Sequence, residues 1–254
     1  MQQEKRLEFI KEQLKQTDHL ATKEIADLLG VSFDTARRDV IKLCSTGQAM
    51  RVHGGIIELD QQSVPTFLAR KQIQSPLKKK MAEMAKRFVH PGDLDFIGPS
   101  TTLQQLCYQL NGMDLEIVTN SIDNALALMN ESLPLVTILG GQIGKKNRLV
   151  YSASALDELR YMYFNTAIIG ASKVRADGSY TAESQDSKLI RMATSRAKKV
   201  ILIAEKYKFV NKNVSPFLST PLDKIDVLIT DTAPSPEIRQ WFRPSTQIIS
   251  VIKE

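Results

Sequence analysis

The stretch that decides the fold of the first part of the chain is Val31-Ser32-Phe33-Asp34-Thr35-Ala36-Arg37-Arg38-Asp39-Val40, followed by Arg51-Val52-His53-Gly54-Gly55. Serine is a preferred residue at a helix N-terminus, so Ser32 is predicted to cap a helix. The apolar positions recur at helical spacing, which predicts an inward face made of Phe33, Ala36, Val40 and Leu43. The positions that this leaves wholly or partly outward are Asp34, Thr35, Arg37, Arg38 and Lys42.

Two shorter helical patterns precede this helix, one with Leu7, Ile10 and Leu14 on a single face and one that ends at Gly30. A helix, a tight turn and a capped helix form the helix-turn-helix arrangement, in which the second helix enters the major groove of DNA. Arginine can donate two hydrogen bonds to guanine, and hydroxyl groups can bond phosphates or base edges. The predicted DNA-binding residues of this helix are Ser32, Asp34, Thr35, Arg37 and Arg38.

A surface helix with no nucleic-acid partner would explain the same residues, with Arg37 or Arg38 paired to Asp34 or Asp39. The continuation of the chain favours DNA binding. Residues 50–59 alternate loosely as a hairpin, and the two glycines at 54 and 55 permit a tight turn.

The hairpin is predicted to form a wing that carries Arg51 and His53 toward DNA. A single histidine is more often a structural hydrogen-bonding group, so a purely structural role stays open for His53.

The pattern Val-Ser-x-x-Thr-x-Arg-Arg-Asp, followed by Arg-Val-His-Gly-Gly, resembles the DeoR family of bacterial transcriptional regulators, and the resemblance extends over the whole chain. It implies a winged helix-turn-helix domain and a C-terminal sensor domain, usually in a repressor of sugar-utilisation genes. Two departures are local: Ala36 replaces a larger aliphatic residue, and Cys44-Ser45 replaces a more acidic helix end. Neither removes a predicted DNA-contacting group.

The net charge of +6 is not concentrated in this first part. Residues 1–60 hold nine basic and ten acidic residues, whereas residues 61–87 hold seven basic residues and one acidic residue. That basic run is either a solvated helix face or a second contact to DNA phosphates.

Cys44 and Cys107 are isolated, which predicts neither disulfides nor a thiolate metal site and favours a cytoplasmic protein. No signal peptide, membrane span, metal or cofactor is predicted.

We predict three segments: a DNA-binding domain over 1–59, a polar linker with two prolines over 60–76, and a sensor and oligomerisation domain over 77–254. The last segment opens with a basic amphipathic helix and then alternates buried strands with helices. The strands are predicted at 94–97, 115–119, 135–139, 166–169, 200–204 and 227–230. The fold class is therefore α/β, with a mostly parallel sheet and helices on both faces behind the winged helix-turn-helix.

Ligands of such sheets bind beyond the carboxyl ends of the strands. Small and hydroxyl-bearing residues follow four predicted strands, at Gly98 and Ser100–Thr102, at Thr119–Ser121, at Gly140-Gly141, and at Gly170 and Ser172. Hydroxyl groups at the start of a helix are also ordinary caps, but four such ends at one edge predict a binding site.

The resemblance implies that the sensor domain is similar in fold to ribose-5-phosphate isomerase and binds a phosphorylated sugar, whose phosphate the Ser100–Thr102 loop would hold. In this resemblance the family's Thr-Asn-Ser stretch corresponds to Thr119, Asn120 and Ser121, and the family's double glycine corresponds to Gly140 and Gly141. The loop Gly-Pro-Ser-Thr-Thr resembles that of the lactose phosphotransferase-system repressor branch. A family motif Asp-Ser-Ser-Lys-Phe appears as Glu205–Phe209, which retains Lys208 but lengthens the acid and lacks both serines. The predicted effector-binding residues are Gly98, Ser100, Thr101, Thr102, Thr119, Asn120, Ser121, Gly140, Gly141, Gly170, Ser172, Glu183, Lys188 and Lys208.

We therefore predict a repressor of a carbohydrate operon that binds double-stranded operator DNA as a homodimer or homotetramer. A phosphorylated sugar is predicted to release it from that DNA. A sugar-phosphate isomerase is the enzymatic alternative, with Glu183 and Asp186 as its candidate acids. The expected acidic pair is missing from Gly-Ala-Ser-Lys-Val-Arg after the strand at 166–169, so we predict no enzyme. The same residues also leave open a winged helix that binds a protein instead of DNA, and a transcriptional activator.

Overall fold

The computed structural model describes residues 2–17, 19–45, 48–52, 54–58, 66–72, 76–210 and 214–252. The chain divides into two compact units, Met1–Ser75 and Pro76–Glu254. The boundary between them lies at the C-terminal end of the segment that the sequence predicts as a linker. No helix in the described part is long and apolar enough to cross a membrane.

The N-terminal unit has the order of elements that a winged helix-turn-helix requires. Its helices and strands are α1 (Gln3–Thr17), β1 (His19–Ala21), α2 (Thr22–Leu29), α3 (Phe33–Ser45), β2 (Ala49–Val52), β3 (Gly55–Glu58) and α4 (Phe67–Gln72). Gly30 ends α2 in the left-handed conformation, with φ of 60°, and its N–H bonds back to the carbonyl groups of the last turn. This tight ending separates α2 from α3 by the short turn that the motif needs.

Apolar side chains from all three N-terminal helices form the core of this unit. Ile10 and Leu14 of α1 pack with Ile25 of α2 and with Val40 and Leu43 of α3. The strands form a sheet in the order β1-β3-β2, and both pairings are antiparallel. The β2–β3 hairpin is the predicted wing.

Gly55 is required where the wing crosses the first strand. A Cβ atom at this position would overlap the backbone carbonyl of Leu20 in β1. The glycine therefore lets β3 lie against β1, which ties the wing to the helix-turn-helix.

The predicted linker contains ordered structure in its second half. α4 lies inside the range 60–76, and Phe67 at its start is only 1% exposed. The helix contacts β2 and belongs to the N-terminal unit.

The C-terminal unit is built on a seven-stranded sheet in the order β15-β14-β12-β9-β4-β5-β6, and all of its pairings are parallel. These strands are β4 (Leu94–Ile97), β5 (Glu116–Thr119), β6 (Leu135–Ile138), β9 (Phe164–Gly170), β12 (Ala197–Ile203), β14 (Val227–Thr230) and β15 (Gln247–Ser250). The six predicted strands are confirmed, and β15 is a seventh that the sequence analysis did not predict.

Helices cover both faces of this sheet. They are α5 (Pro76–Lys86), α6 (Thr101–Leu110), α7 (Ile122–Leu128), α8 (Ala153–Arg160), α9 (Ser184–Ser195), α10 (Tyr207–Val210) and α11 (Pro236–Arg239). Apolar residues of α5, α6 and α7 pack on one face of the sheet, and those of α8 and α9 pack on the other. The fold class predicted from the strand–helix alternation is therefore confirmed.

Two small antiparallel sheets complete the unit. One pairs β7 (Gln142–Gly144) with β8 (Leu149–Tyr151), and the other has the order β10-β11-β13. The members of the second are β10 (Lys173–Arg175), β11 (Gly178–Thr181) and β13 (Phe217–Pro221).

Candidate nucleic-acid interface and strand-end site

The start of α3 is fixed by hydroxyl groups, as the sequence predicts. The Ser32 hydroxyl oxygen accepts a hydrogen bond from the Thr35 backbone N–H at 3.3 Å and lies 2.9 Å from the Thr35 hydroxyl. Ser32 is exposed and Thr35 is half-buried. The first turn of the helix therefore presents one accessible hydroxyl and one partly covered hydroxyl.

The acidic residue that follows the two arginines belongs to the core of the unit. Asp39 is fully buried, and its carboxylate accepts hydrogen bonds from Arg6 at 2.6 and 3.1 Å and from Gln3 at 3.0 Å. It therefore holds α3 against α1. The pairing of Arg37 or Arg38 with Asp39 is not what the structure shows.

The side chains of Asp34, Arg37 and Arg38 are all exposed. Within the ranges that the structure describes, neither arginine has a hydrogen-bonded or ion-paired partner. Two guanidinium groups on the N-terminal half of the second helix are placed to donate to base edges and phosphates.

The prediction that Phe33 faces inward is wrong, because its side chain is 54% exposed. Ala36, Val40 and Leu43 of the same predicted face are fully buried. Phe33 is the first residue of α3, and the covered positions of this face begin at Ala36. Helical spacing assigns an angular direction to a side chain, but it does not show where the covering elements end.

On the wing, Arg51 lies in β2 and is half-exposed. It is close enough to Cys44 to lower the pKa of that thiol, although burial outweighs this effect and raises the pKa to about 11. His53 lies outside the described residues.

In the C-terminal unit, the loops that follow β4 and β5 are joined by buried hydrogen bonds. The Thr119 hydroxyl donates to the Ile97 carbonyl at 2.6 Å, and the Asn124 amide donates to the Gly98 carbonyl at 2.9 Å. The Ser100 hydroxyl accepts from the Thr102 N–H at 3.1 Å and caps α6. This network fixes the start of α6, where backbone N–H groups and the helix dipole favour an anion.

Gly170 ends the neighbouring strand β9 beside the same loop. A Cβ atom at this position would lie 3.0 Å from the Ser100 Cβ and 3.2 Å from its hydroxyl oxygen. The absence of a side chain at position 170 leaves the Ser100 hydroxyl uncrowded on that side. The structure therefore brings Gly98, Ser100 and Gly170 together, as predicted.

The loop after β5 also meets the start of α9. Asn120 is fully buried, and its amide donates to a carboxylate oxygen of Asp186 at 3.3 Å. The Asn120 side-chain oxygen is buried with no hydrogen-bond partner among the described residues. Ser121 caps α7 by accepting from the Asn124 N–H at 3.2 Å. Glu183 precedes α9 and accepts a hydrogen bond from the Asn147 amide.

A buried group of charged side chains lies at the ends of β12 and β14. Lys78 of α5, Glu205 after β12 and Lys208 of α10 are all buried. Burial raises the pKa of Glu205, whereas the charges of Lys78 and Lys208 lower it. Asp231, which follows β14, accepts from the Lys206 N–H at 2.5 Å and also raises the pKa of Glu205. We call Lys78, Glu205 and Lys208 the charged triad.

The remaining predicted effector residues lie at the margins of this edge. Gly141 has φ of 139° and passes close to Tyr151 and Ser152, and the Ser152 hydroxyl donates to the Gly140 carbonyl at 2.8 Å. Gly141 therefore has a structural reason of its own, whereas a Cβ atom at Gly140 would have no neighbour within 4 Å. Ser172 is half-buried, and Lys188 lies exposed on α9.

Sequence reasoning did not single out Lys78 and Glu205, two of the three members of the charged triad. Lys78 belongs to a run of three lysines, of which Lys79 and Lys80 are exposed. Its burial has a signal in the sequence, because Lys78, Met81, Ala82 and Ala85 recur at the spacing of one helix face, and all four are buried. Glu205 has no periodic signal of this kind, and its one signal in the sequence is its match to the acid of the family motif at 205–209.

Comparison with known protein families now adds to this geometry. Residues 6–62 match the DeoR-like helix-turn-helix domain, and residues 73–232 match the DeoR C-terminal sensor domain. The chain belongs to the DeoR family of transcriptional regulators. The resemblance stated from the Val-Ser-x-x-Thr-x-Arg-Arg-Asp pattern is confirmed.

Similar proteins align with this DeoR-family chain over nearly its whole length. It is 34% identical to the HTH-type transcriptional repressor GlcR of Bacillus subtilis over 236 residues, which cover 92% of the chain and 91% of that protein. It is 30% identical to the lactose phosphotransferase system repressor of Lactococcus lactis over 98% of the chain and 99% of that protein. It is 26% identical to the HTH-type transcriptional regulator UlaR of Escherichia coli over the whole of both chains.

Solved structures align with part of the chain. Ribose 5-phosphate isomerase A from Neisseria gonorrhoeae covers 55% of this chain and 53% of its own, with 21% identity and a TM-score of 0.38. The translation initiation factor eIF-2B of Pyrococcus horikoshii covers 73% and 56%, with 14% identity and a TM-score of 0.43.

Proposed function

We propose that this DeoR-family protein is a transcriptional repressor of a carbohydrate-utilisation operon. It binds operator DNA through α3 and the wing. A phosphorylated sugar releases it by binding in the C-terminal unit at the carboxyl ends of the parallel strands, between Ser100–Thr102 and the charged triad. The observation that carries the proposal is that the charged triad follows β12 and the hydroxyl-bearing start of α6 follows β4, so that both lie at the carboxyl edge of the same parallel sheet, two strands apart. The names of two relatives as repressors, one of the lactose phosphotransferase system, support the biological setting.

On the DNA side, the exposed Arg37 and Arg38 read base edges, and Ser32 and Thr35 contact phosphate or base edges. Arg51 on the wing contacts the DNA backbone. Residues 1–60 carry no excess of positive charge, so specific contacts by these side chains matter more for binding than bulk attraction does.

On the effector side, the sugar phosphate lies along the carboxyl edge of the sheet. Its phosphate binds at the start of α6, where Ser100, Thr101 and Thr102 supply hydroxyl and N–H donors. Only β9 lies between β4 and β12, so these two strands are two strand spacings, or about 10 Å, apart. A phosphorylated sugar anchored beside β4 can therefore extend toward Glu205 and Lys208.

The polar groups of this edge suit the hydroxyl groups of a sugar. The buried Asn120 oxygen has no partner in the described part, and leaving a buried acceptor unsatisfied costs about 1–3 kcal/mol. A ligand hydroxyl that donates to it would remove this cost. Glu205 can accept from a second hydroxyl, while Lys78 and Lys208 balance its charge and attract the anionic ligand.

Helix-turn-helix proteins read paired half-sites, so we propose a homodimer or homotetramer held together by the C-terminal unit. An effector acts only if it binds the DNA-free and DNA-bound arrangements with different affinity. The protein works in the cytoplasm, where its operator lies.

We propose that the site binds its ligand without turning it over. The acidic pair expected of an isomerase is missing after the strand at 166–169, and Glu183 and Asp186 accept hydrogen bonds from Asn147 and Asn120. Glu205 is then the carboxylate on which a base role would depend, and we propose that it binds a sugar hydroxyl without removing a proton from carbon. Turnover of an aldose or ketose phosphate by the purified protein, lost in Glu183→Gln, would overturn this part of the proposal.

The test of the effector site is thermal denaturation of the full chain with a panel of sugar phosphates, the matching free sugars and inorganic phosphate. We expect one sugar phosphate to raise Tm more than its free sugar or phosphate does. Lys78→Met and Thr101→Val should abolish that rise, and Lys79→Met, which removes an exposed charge of the same run, should retain it. An equal rise in Lys78→Met and in the wild type would exclude the charged triad from the site.

A further inference from the structure

The exposed ring of Phe33 has no role in the structure described so far. A single exposed apolar side chain needs no explanation by itself, since such residues are common on protein surfaces. Its position is what distinguishes Phe33. Among the described residues of the N-terminal unit it is the only exposed phenylalanine, tyrosine or tryptophan, and it stands at the first position of α3.

The neighbours of Phe33 belong to the surface that meets DNA. Ser32 and Asp34 flank it in the chain, and both are exposed. Arg37 is one helical turn further on, so its exposed side chain lies next to Phe33 on the helix surface. The N-terminal residues of the second helix are the ones nearest the bases in this motif. A side chain in this place therefore meets base edges.

A phenyl ring cannot donate or accept the hydrogen bonds by which polar side chains distinguish bases. The C5-methyl group of thymine is the one apolar group that the four bases present in the major groove, and phenylalanine is among the residues that contact it. Chemical complementarity thus selects thymine.

We propose that Phe33 is a specificity-determining residue that packs on a thymine methyl group in each operator half-site, next to the base pair that Arg37 or Arg38 reads. The proposal deepens the proposed function, since it rests on α3 lying in the major groove. It adds a preference for thymine at one fixed position, which none of the hydrogen-bonding residues supplies.

The expected effect of the contact is modest and measurable. Burying one methyl or methylene group contributes ~0.8 kcal/mol, which corresponds to about fourfold in affinity at 25 °C. Replacing that thymine by deoxyuridine removes only the methyl group, so it should weaken wild-type binding about fourfold at fixed salt. The loss should vanish in Phe33→Ala, because the partner of the methyl group is then absent.

The experiment begins with selection of bound duplexes from a randomised pool by the full-length wild type, Phe33→Ala and Leu68→Ala. Leu68 is a matched control, since it is 53% exposed and apolar but lies in α4, outside the helix-turn-helix. Each thymine of the selected wild-type site is then replaced singly by deoxyuridine, and the affinities of all three proteins are measured. Phe33 is exposed, so its removal does not disturb the core.

We expect the wild type and Leu68→Ala to enrich thymine at one position of the site, and Phe33→Ala to lose that enrichment. Replacing this thymine by deoxyuridine should weaken binding by the wild type and Leu68→Ala but not by Phe33→Ala. A wild-type site whose thymine preferences persist in Phe33→Ala would overturn this proposal alone. A wild type that enriches no site would overturn both it and the DNA-reading role proposed for α3.

Discussion

Asp95 gives a stability prediction whose size follows from the structure. It lies on β4 in the centre of the sheet and is fully buried. One carboxylate oxygen accepts from the Thr166 N–H at 2.8 Å, and the other is buried with no hydrogen-bond partner in the described part. Burial, with a smaller contribution from the charge of Asp93, raises the pKa of Asp95 from 3.8 to about 7.

A raised pKa of an acid means that the folded state holds the proton more tightly than the unfolded state does. The carboxyl group therefore costs no stability below pH 3.8, and its cost grows as the pH rises toward 7, above which it stays constant. The difference of 3.2 between the two pKa values corresponds to about 4 kcal/mol, of which roughly 2.5 kcal/mol accrues between pH 5 and pH 8.

The test is denaturant unfolding of wild type and Asp95→Asn at pH 5 and pH 8. Trp241 is the only tryptophan and lies in the C-terminal unit, where its ring centroid is 6.4 Å from that of Phe209, so its fluorescence reports on that unit. The free energy of unfolding of Asp95→Asn, taken relative to that of the wild type, should rise by about 2.5 kcal/mol from pH 5 to pH 8, because the neutral amide does not ionise. Any cost of burying the amide is the same at both and cancels.

Asp114→Asn, at an exposed position, is the control and should show no such change. If the free-energy difference between Asp95→Asn and the wild type is the same at pH 5 and pH 8, Asp95 does not carry a raised pKa, and the reasoning from its burial is wrong.

Three further substitutions test the DNA-binding face, the effector site and the wing. Arg38→Ala should lose about 1–3 kcal/mol of specific binding and relax discrimination between operator and scrambled DNA, measured by fluorescence anisotropy at fixed salt; unchanged affinity would exclude a base contact. Gly170→Val should crowd the Ser100 hydroxyl and abolish the sugar-phosphate response while operator affinity stays intact, and a normal response would place the phosphate elsewhere. Gly55→Ala should lower the unfolding free energy of the N-terminal unit by about 1–3 kcal/mol, because the added Cβ meets the Leu20 backbone. Denaturant titration followed by circular dichroism measures this, and a stability equal to that of the wild type would contradict it.

The sequence was sufficient for the architecture because its signals are local. Buried strands alternate with helical patterns, and six of the seven strands of the main sheet follow directly from apolar runs. β15, an edge strand of four residues, was not predicted from the sequence. Gly30 predicted the turn because its own backbone conformation ends α2, and Ser32 predicted the helix cap because its own hydroxyl accepts the hydrogen bond.

The sites were only partly predictable because burial is a property of the assembled fold. Glu205 and Lys78 are 127 positions apart in the sequence, and only the packing of α5 near the end of β12 makes them interact. Phe33 shows the opposite error, since its spacing placed it on the inward face although its side chain is 54% exposed. In both cases, the deciding fact is which other element lies next to the side chain.

The most direct measurement is fluorescence anisotropy of the full chain on the DNA upstream of its own gene, against a scrambled duplex of the same length and at fixed salt. The titration is run with and without each sugar phosphate that raises Tm. We predict specific binding to the upstream DNA that one of these compounds weakens and that its free sugar does not. Equal affinity for both duplexes, unchanged by every compound, would contradict the proposal of an effector-released repressor.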